Sequence, residues 1–222
     1  MKKVILFDID YTLFDSSKFR KKLYSAIKIS LKKKDIHVPD EKLVNAYKVL
    51  RNEVPYFSPR IFAKKLGNEI GEKIDEDFLE TEIFGSIIFN HNLYEEVLEV
   101  FKMLSKIEDL EIGIFSTGEE KFQGQKINEI INLLNSKHIH IHLYKDDNLT
   151  TVVKKYKEMK LILVDDVLKI LAKASSIDQD LITIWIERKE KSEFNKNDYI
   201  GDFKPSHEIK NLNEVVSIIK NI

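Results

Sequence analysis

Lys2-Lys3-Val4-Ile5-Leu6-Phe7-Asp8-Ile9-Asp10-Tyr11-Thr12-Leu13-Phe14-Asp15 is the stretch that decides the fold of this chain. A polar start gives way to an apolar run, Val4 to Phe7, and the run ends on two acids, Asp8 and Asp10. A short unbroken apolar run predicts a strand buried on both faces, as in a parallel sheet. Similar runs recur at residues 111–115, 139–144, 161–164 and 181–186. Between them apolar residues fall at helical spacing: Tyr94, Val97, Leu98, Phe101 and Leu104; Ile127, Ile130, Ile131 and Leu134; Leu149, Val152, Val153 and Tyr156. Leu212, Val215, Val216 and Ile219 make a last covering helix. Strands alternating with helices predict an α/β protein, a mostly parallel sheet with helices on both faces.

Between the first strand and Tyr94 the pattern changes. Phe19, Leu23, Ile27 and Leu31 predict one helix with Ser17 as N-cap, and Leu43, Val44, Tyr47 and Leu50 a second, opened by Asp40 after Pro39. Ile61, Phe62 and Leu66 predict a third, and Phe78, Leu79, Ile83, Ile87 and Ile88 a fourth. Residues 16–92 are therefore expected to be an all-helical insertion, with the α/β core formed by residues 1–15 and 93–222. The charged stretch 187–198 is expected to be a solvated loop.

Composition narrows the function classes. At about 150 residues per domain, 222 residues suit one domain with an insertion. A hydrophobic share of 43% can fill a sizeable core. Acids and bases nearly cancel, 37 against 36, and the missing basic excess speaks against a generic nucleic-acid binder. Cysteine is absent, which excludes disulfides, thiolate catalysis and cysteine-based zinc sites. No apolar run can span a bilayer, and the N-terminus has no signal-peptide apolar region. A soluble cytoplasmic protein is expected. Lysine is 32 of the 36 basic residues and isoleucine is abundant, which fits a thermophile or an AT-rich genome equally.

Three strand ends carry chemistry. Asp8 and Asp10 stand where the first strand runs out, and in open parallel sheets the carboxyl ends of strands are where ligands bind. Paired acids there can bind a hard cation such as Mg²⁺, and one can act as nucleophile. The strand at 111–115 ends in Ser116-Thr117-Gly118, whose hydroxyls and N–H groups can meet phosphate oxygens. The strand at 161–164 ends in Asp165-Asp166. In one sheet these ends converge on one edge.

At this level of detail the sequence resembles the haloacid dehalogenase superfamily. Asp8-Ile9-Asp10-Tyr11-Thr12 is similar to its Asp-x-Asp-x-Thr first motif, Ser116 to its second, Lys145 to its third and Asp165-Asp166 to its fourth. The resemblance implies a Rossmann-like core with a helical cap where residues 16–92 lie, as in phosphoglycolate phosphatase-like members. It implies a Mg²⁺-dependent phosphatase acting on a small phosphorylated metabolite. Asp8 would be the nucleophile that forms an aspartyl-phosphate, and Asp10 the acid/base. Ser116 and Lys145 would hold the phosphoryl oxygens, with Thr12 and Thr117 beside them. The metal would sit between Asp8, the backbone carbonyl of Asp10, and Asp165 or Asp166, with Asp166 favoured. The chain departs from the family pattern at Tyr11, where glycine is common, at Asp146, where proline is common after the lysine, and at Ile170 and Leu171, where a further acid is common. Asp10 favours phosphate esters over a 2-haloacid, whose leaving halide needs no proton. A phosphotransferase or phosphomutase shares the first steps, and a non-catalytic binding protein with the same fold is the remaining alternative.

Other features are expected to be structural. His138, His140 and His142 alternate along one partly exposed edge strand, and Trp185 packs in the core. Tyr47, Tyr56 and Phe57 are expected inside the helical insertion. Arg51 and Arg60 are candidates to reach a substrate carboxylate, as is Arg20 within a lysine-rich, solvated helix face.

Overall fold

A computed structural model describes residues 2–189 and 201–222. Six strands form one parallel sheet: β1 (Lys3–Phe7), β2 (Leu110–Thr117), β3 (Ile139–His142), β4 (Lys160–Asp165), β5 (Ile182–Ile186) and β6 (His207–Ile209). Their order across the sheet is β3-β2-β1-β4-β5-β6. This is the Rossmann-like order, which reverses direction between β1 and β4 and opens a crevice at their carboxyl ends. β1 is central, with Phe7 in register with Ile114 of β2 and Val164 of β4. Asp8, one residue on, still donates its N–H to the Val164 carbonyl at 2.9 Å, so the first acid is anchored to the sheet.

Alternation along β1 sorts the helices onto two faces. Val4 and Leu6 pack with Leu149 and Val152 of α7 (Lys145–Lys155), Tyr156 just past its end, and Leu171 and Ala174 of α8 (Leu168–Ile177). Ile5 and Phe7 belong to the other cluster, with Val97 and Phe101 of α5 (Val97–Leu104) and Val215 and Ile219 of α9 (Asn213–Lys220). That second cluster continues into the four helices between β1 and α5: α1 (Ser16–Lys32), α2 (Asp40–Glu53), α3 (Pro59–Ile70) and α4 (Glu76–Phe84). No strand forms in residues 16–92.

Local chemistry sets these helix ends. Asp15 caps α1 by accepting from the Lys18 N–H at 2.8 Å, so Asp15 takes the role expected of Ser17, which lies two residues later, already inside the helix. Ser58 caps α3 with Pro59 at its first position, and Gly71, at φ 73°, ends it in the left-handed conformation that glycine adopts without strain.

Several expected boundaries shift. The fourth helical pattern stops at Phe84, and Ile87–Phe89 form a separate 3-10 turn. The stripe Ile127 to Leu134 is also a 3-10 turn, Asn128–Leu133, since i, i+3 spacing suits both helix types. The run expected over 139–144 is strand only to His142, and α7 starts at Lys145 itself. β6 was not anticipated. Residues 190–198 of the expected charged loop lie outside the described residues. No helix among the described residues is long and apolar enough to cross a membrane.

Gly113 of β2 fixes a spacing at the edge of the sheet. A Cβ there would lie 2.3 Å from the His138 carbonyl oxygen and 2.5 Å from the His138 Cβ.

Candidate active site

The carboxyl ends of β1, β2 and β4 open into a cleft of about 530 Å³ whose walls include Asp8, Asp10, Ser116, Lys145, Asp165 and Asp166. Asp165 is fully buried, and Asp8 and Lys145 nearly so. Lys145 enters from the first turn of α7. Its ammonium donates to Asp8 Oδ1 at 2.8 Å and to Asp165 Oδ2 at 2.5 Å, linking the ends of two neighbouring strands. Asp165 Oδ1 accepts from the Val167 N–H at 2.9 Å, so both its oxygens take hydrogen bonds from the protein. Asp8, Asp165 and Asp166 each offer an oxygen within 4.8 Å of the others, the one such acidic or histidine group among the described residues.

The electrostatics follow from burial and charge count. Burial pushes Asp8 up to about 6; Lys145 opposes this, while Asp165 and Asp10 add to it. Burial also disfavours the Lys145 ammonium, but Asp165 and Asp8 outweigh it and hold its pKa above the ordinary lysine value. Asp8, Asp165 and Asp166 bring three carboxylates to one place, and carboxylate oxygens are the ligands a hard divalent cation takes. The donor set therefore fits a hard divalent cation.

Asp10 is placed differently. Its carboxylate turns away from the acidic trio to Lys126 of α6 (Glu120–Lys126), whose Nζ donates to both oxygens, at 2.7 and 2.8 Å. Gln123 Nε2 donates to Oδ2 at 3.0 Å, and the Ser16 hydroxyl donates to Oδ1. Burial raises the Asp10 pKa, but these donors, led by Lys126, pull it below the ordinary carboxylate value. Burial in turn lowers Lys126, with Asp10 opposing. The Asp10 carboxylate joins no metal-sized group among the described residues, which leaves its expected contribution to a metal, the backbone carbonyl, untouched.

Ser116 sits at the end of β2 with its hydroxyl fully buried and without a partner among the described residues. A buried unsatisfied hydroxyl costs stability unless something binds it. Thr117 also lines the cleft, but the Gly118 N–H, expected to face a phosphate, donates instead to the His142 carbonyl at 2.8 Å. Thr12 is fully buried and not part of the cleft wall; its carbonyl accepts from Arg188 at 2.7 Å, and Arg188 pairs with Glu96 at 2.6 Å. Tyr11 holds a left-handed φ of 57°, and its hydroxyl accepts from Arg20 at 2.6 Å. Tyr47, Tyr56 and Phe57, expected inside the helical insertion, line the cleft together with Arg51. Arg60 instead pairs with Asp77 and Glu80. Two of the three histidines share Tyr156, whose hydroxyl lies 2.9 Å from His138 Nδ1 and 2.7 Å from His140 Nε2; of the three expected along the edge strand, only His140 and His142 lie on β3, and His138 is buried in the 3-10 turn before it. Trp185 is only partly buried, and its indole N–H donates to the Asp166 carbonyl at 3.0 Å.

Sequence reasoning missed Lys126, Gln123 and Arg188. A signal existed for the first two: both share a helix face near the apolar Phe122, where solvated side chains are not expected.

No protein-family model matches the sequence. No curated protein matches it either. Solved structures do match along the whole chain. One, described as a haloacid dehalogenase-like hydrolase from Burkholderia xenovorans, is 17% identical over 99% of this chain and 97% of its own, with a TM-score of 0.74. A HAD-hydrolase from Bacillus subtilis, YfnB, bound to magnesium, is 16% identical over 100% and 99%, with a TM-score of 0.67. A 2-haloacid dehalogenase from Pseudomonas syringae is 18% identical over 100% and 99%, with a TM-score of 0.62. The chain has the fold of the haloacid dehalogenase-like hydrolases.

Proposed function

We propose that the protein is a Mg²⁺-dependent phosphatase of a small phosphorylated metabolite, working through an aspartyl-phosphate on Asp8. The observation that carries this reading is that the acidic trio, Lys145 and the partnerless Ser116 hydroxyl line one cleft. A phosphate ester and a carboxylate nucleophile repel each other, and this set of groups is suited to remove the repulsion.

Mg²⁺ would be held by Asp8, Asp166 and the Asp10 carbonyl, and when bound it supplies positive charge against the phosphoryl oxygens. Asp165 has both oxygens engaged by protein donors, and Asp166 also brings an oxygen to the acidic trio. Lys145 holds Asp8 by Oδ1, and Oδ2, which accepts from no described residue, is the attacking atom. Ser116 donates its hydroxyl to a phosphoryl oxygen, and Lys145 shares its charge with the same group. Residues 16–92 act as the cap that excludes water, and Tyr47, Phe57 and Arg51 meet the leaving alcohol. Asp10 serves the leaving side. Its ionised resting form is the one that activates water for hydrolysis of the intermediate. The proton for the leaving oxygen enters with the monoanion of the ester, whose second pKa is about 6, and passes through Asp10. A 2-haloacid would need neither the second acid nor this charge neutralisation.

A hydrolysis screen over phosphorylated metabolites, with Mg²⁺ and with chelator, tests the reading, and 2-chloropropionate is the contrasting substrate. Phosphate release that stops in chelator and returns with Mg²⁺ is expected. Chloride release without phosphate release would replace the phosphatase by a dehalogenase.

A further inference from the structure

We propose that Lys126 and Gln123 form a positioning arm that holds the Asp10 carboxylate at the leaving side of the cleft and out of the acidic trio. The inference rests on the phosphatase reading above, because it gives Asp10 its acid/base role.

Asp10 is only two residues from Asp8, and the trio of carboxylates nearby would bring it in if a cation were the sole attraction. It is not part of that trio. Lys126 spans both Asp10 oxygens, at 2.7 and 2.8 Å, and Gln123 adds a third hydrogen bond at 3.0 Å. The two side chains stand three residues apart on α6 and therefore on one helix face. Gln123 also donates to the Thr117 carbonyl, which ties the arm to the turn that presents Ser116. Gly118 lets it approach: a Cβ there would lie 2.6 Å from the Gln123 Cγ.

Exposure divides the pair in a telling way. The Lys126 side chain is 6% exposed and the Asp10 side chain 34%. The ammonium lies 5.0 Å from the centre of the Phe122 ring, 5.4 Å from Phe14 and 5.9 Å from Phe19, so aromatic faces cage its other sides. Lys126 borders the same cleft, but Asp10 is the more open partner and the lysine's ammonium is committed to both Asp10 oxygens. Lys126 therefore acts through Asp10 and not on substrate. An ion pair serving stability alone gains nothing from leaving one partner open to the ligand space.

The test uses the Mg²⁺-loaded protein, 4-nitrophenyl phosphate as an ester with a good leaving group, and an alkyl phosphate with a poor one. Proton delivery by Asp10 matters for the second and little for the first. Lys126→Met should lose about tenfold more kcat on the alkyl ester than on 4-nitrophenyl phosphate, with KM nearly unchanged. Asp10→Asn should show the same selectivity, and Asp10→Asn/Lys126→Met should be no slower than Asp10→Asn alone. Equal losses on both esters, or losses that multiply in the double variant, would overturn the arm. Should Lys126→Met not fold, Gln123→Ala keeps the ion pair and should give the same selectivity at smaller amplitude; a uniform loss there would also overturn it. If the wild-type protein hydrolyses neither these esters nor any in the screen, the phosphatase reading falls and takes the arm with it. Hydrolysis with a Lys126→Met defect independent of leaving group removes the arm alone.

Discussion

Two buried lysines stand in the same cleft, and they are used in opposite ways. Lys145 is outnumbered, one ammonium donating to Asp8 and Asp165 with Asp166 beside them. Lys126 meets a single acid, Asp10, and covers both of its oxygens. The first group sets three carboxylates against Lys145 and leaves an oxygen of Asp8 without a described donor, which suits it to a cation and, on the proposed reading, to attack on an electrophile. The second is neutral as a pair and closed by aromatic rings, so it fixes an orientation. The difference teaches that the presence of a lysine beside an acid says little. The count of acids around it, and which partner faces the ligand, separate chemistry from positioning.

The largest expected effect tests the Lys145 side. Asp8→Asn should drop turnover to below about 1% of wild type, since an amide cannot form the phosphoenzyme. Circular dichroism checks that the fold survives, and retained turnover would move the nucleophile elsewhere. Next, Lys145→Ala should cost about two orders of magnitude in kcat/KM, while Lys154→Ala and Lys155→Ala should stay near wild type. Lys154 is exposed, and Lys155 is engaged with the Lys137 carbonyl at 2.8 Å. A near-wild-type Lys145→Ala would erase the distinction between the two lysines.

On the neutral side, Lys126→Met should lower unfolding stability by about 1–3 kcal/mol, because it leaves a partly buried acid without its cation. Asp10→Asn/Lys126→Met should recover much of that loss in urea titrations. The smallest effect concerns pH. In the metal-free protein Asp8 is raised to about 6, so below that pH binding of Mg²⁺ must expel its proton. Affinity should rise about tenfold per pH unit up to about 6 and level off above it. Isothermal titration of Mg²⁺ reads this slope directly. Asp8→Asn should abolish it and Lys126→Met should leave it in place; a slope that follows Lys126 instead would merge the two regions into one.

Much of this was legible in the primary structure because it lies in unbroken local patterns. Val4 to Phe7, the apolar run at 161–164 and the helical stripes of α1, α2 and α7 announce themselves by periodicity alone. The strand ends that carry Asp8, Ser116 and Asp165 follow from them. What escaped depends on distance in sequence. Lys126 takes on meaning only when the sheet order brings α6 over the loop after β1, and Arg188 only when the end of β5 comes beside Thr12. His207-Glu208-Ile209 is too short to stand out as a strand. Thr12, read as a ligand contact from its motif, turns out to serve the loop through its carbonyl while its side chain stays in the core.

The missing side chain at position 113 makes the cleft vulnerable from outside. A methyl group there would suit a strand by propensity, yet it would press on the backbone of His138 and drive the outermost strand away. That strand also carries the His142 carbonyl, which receives the Gly118 N–H and so pins the turn after Ser116. Gly113→Ala is thus the kind of conservative change that would pass a stability-minded engineer and yet disturb the turn that presents Ser116, without touching any residue of the cleft.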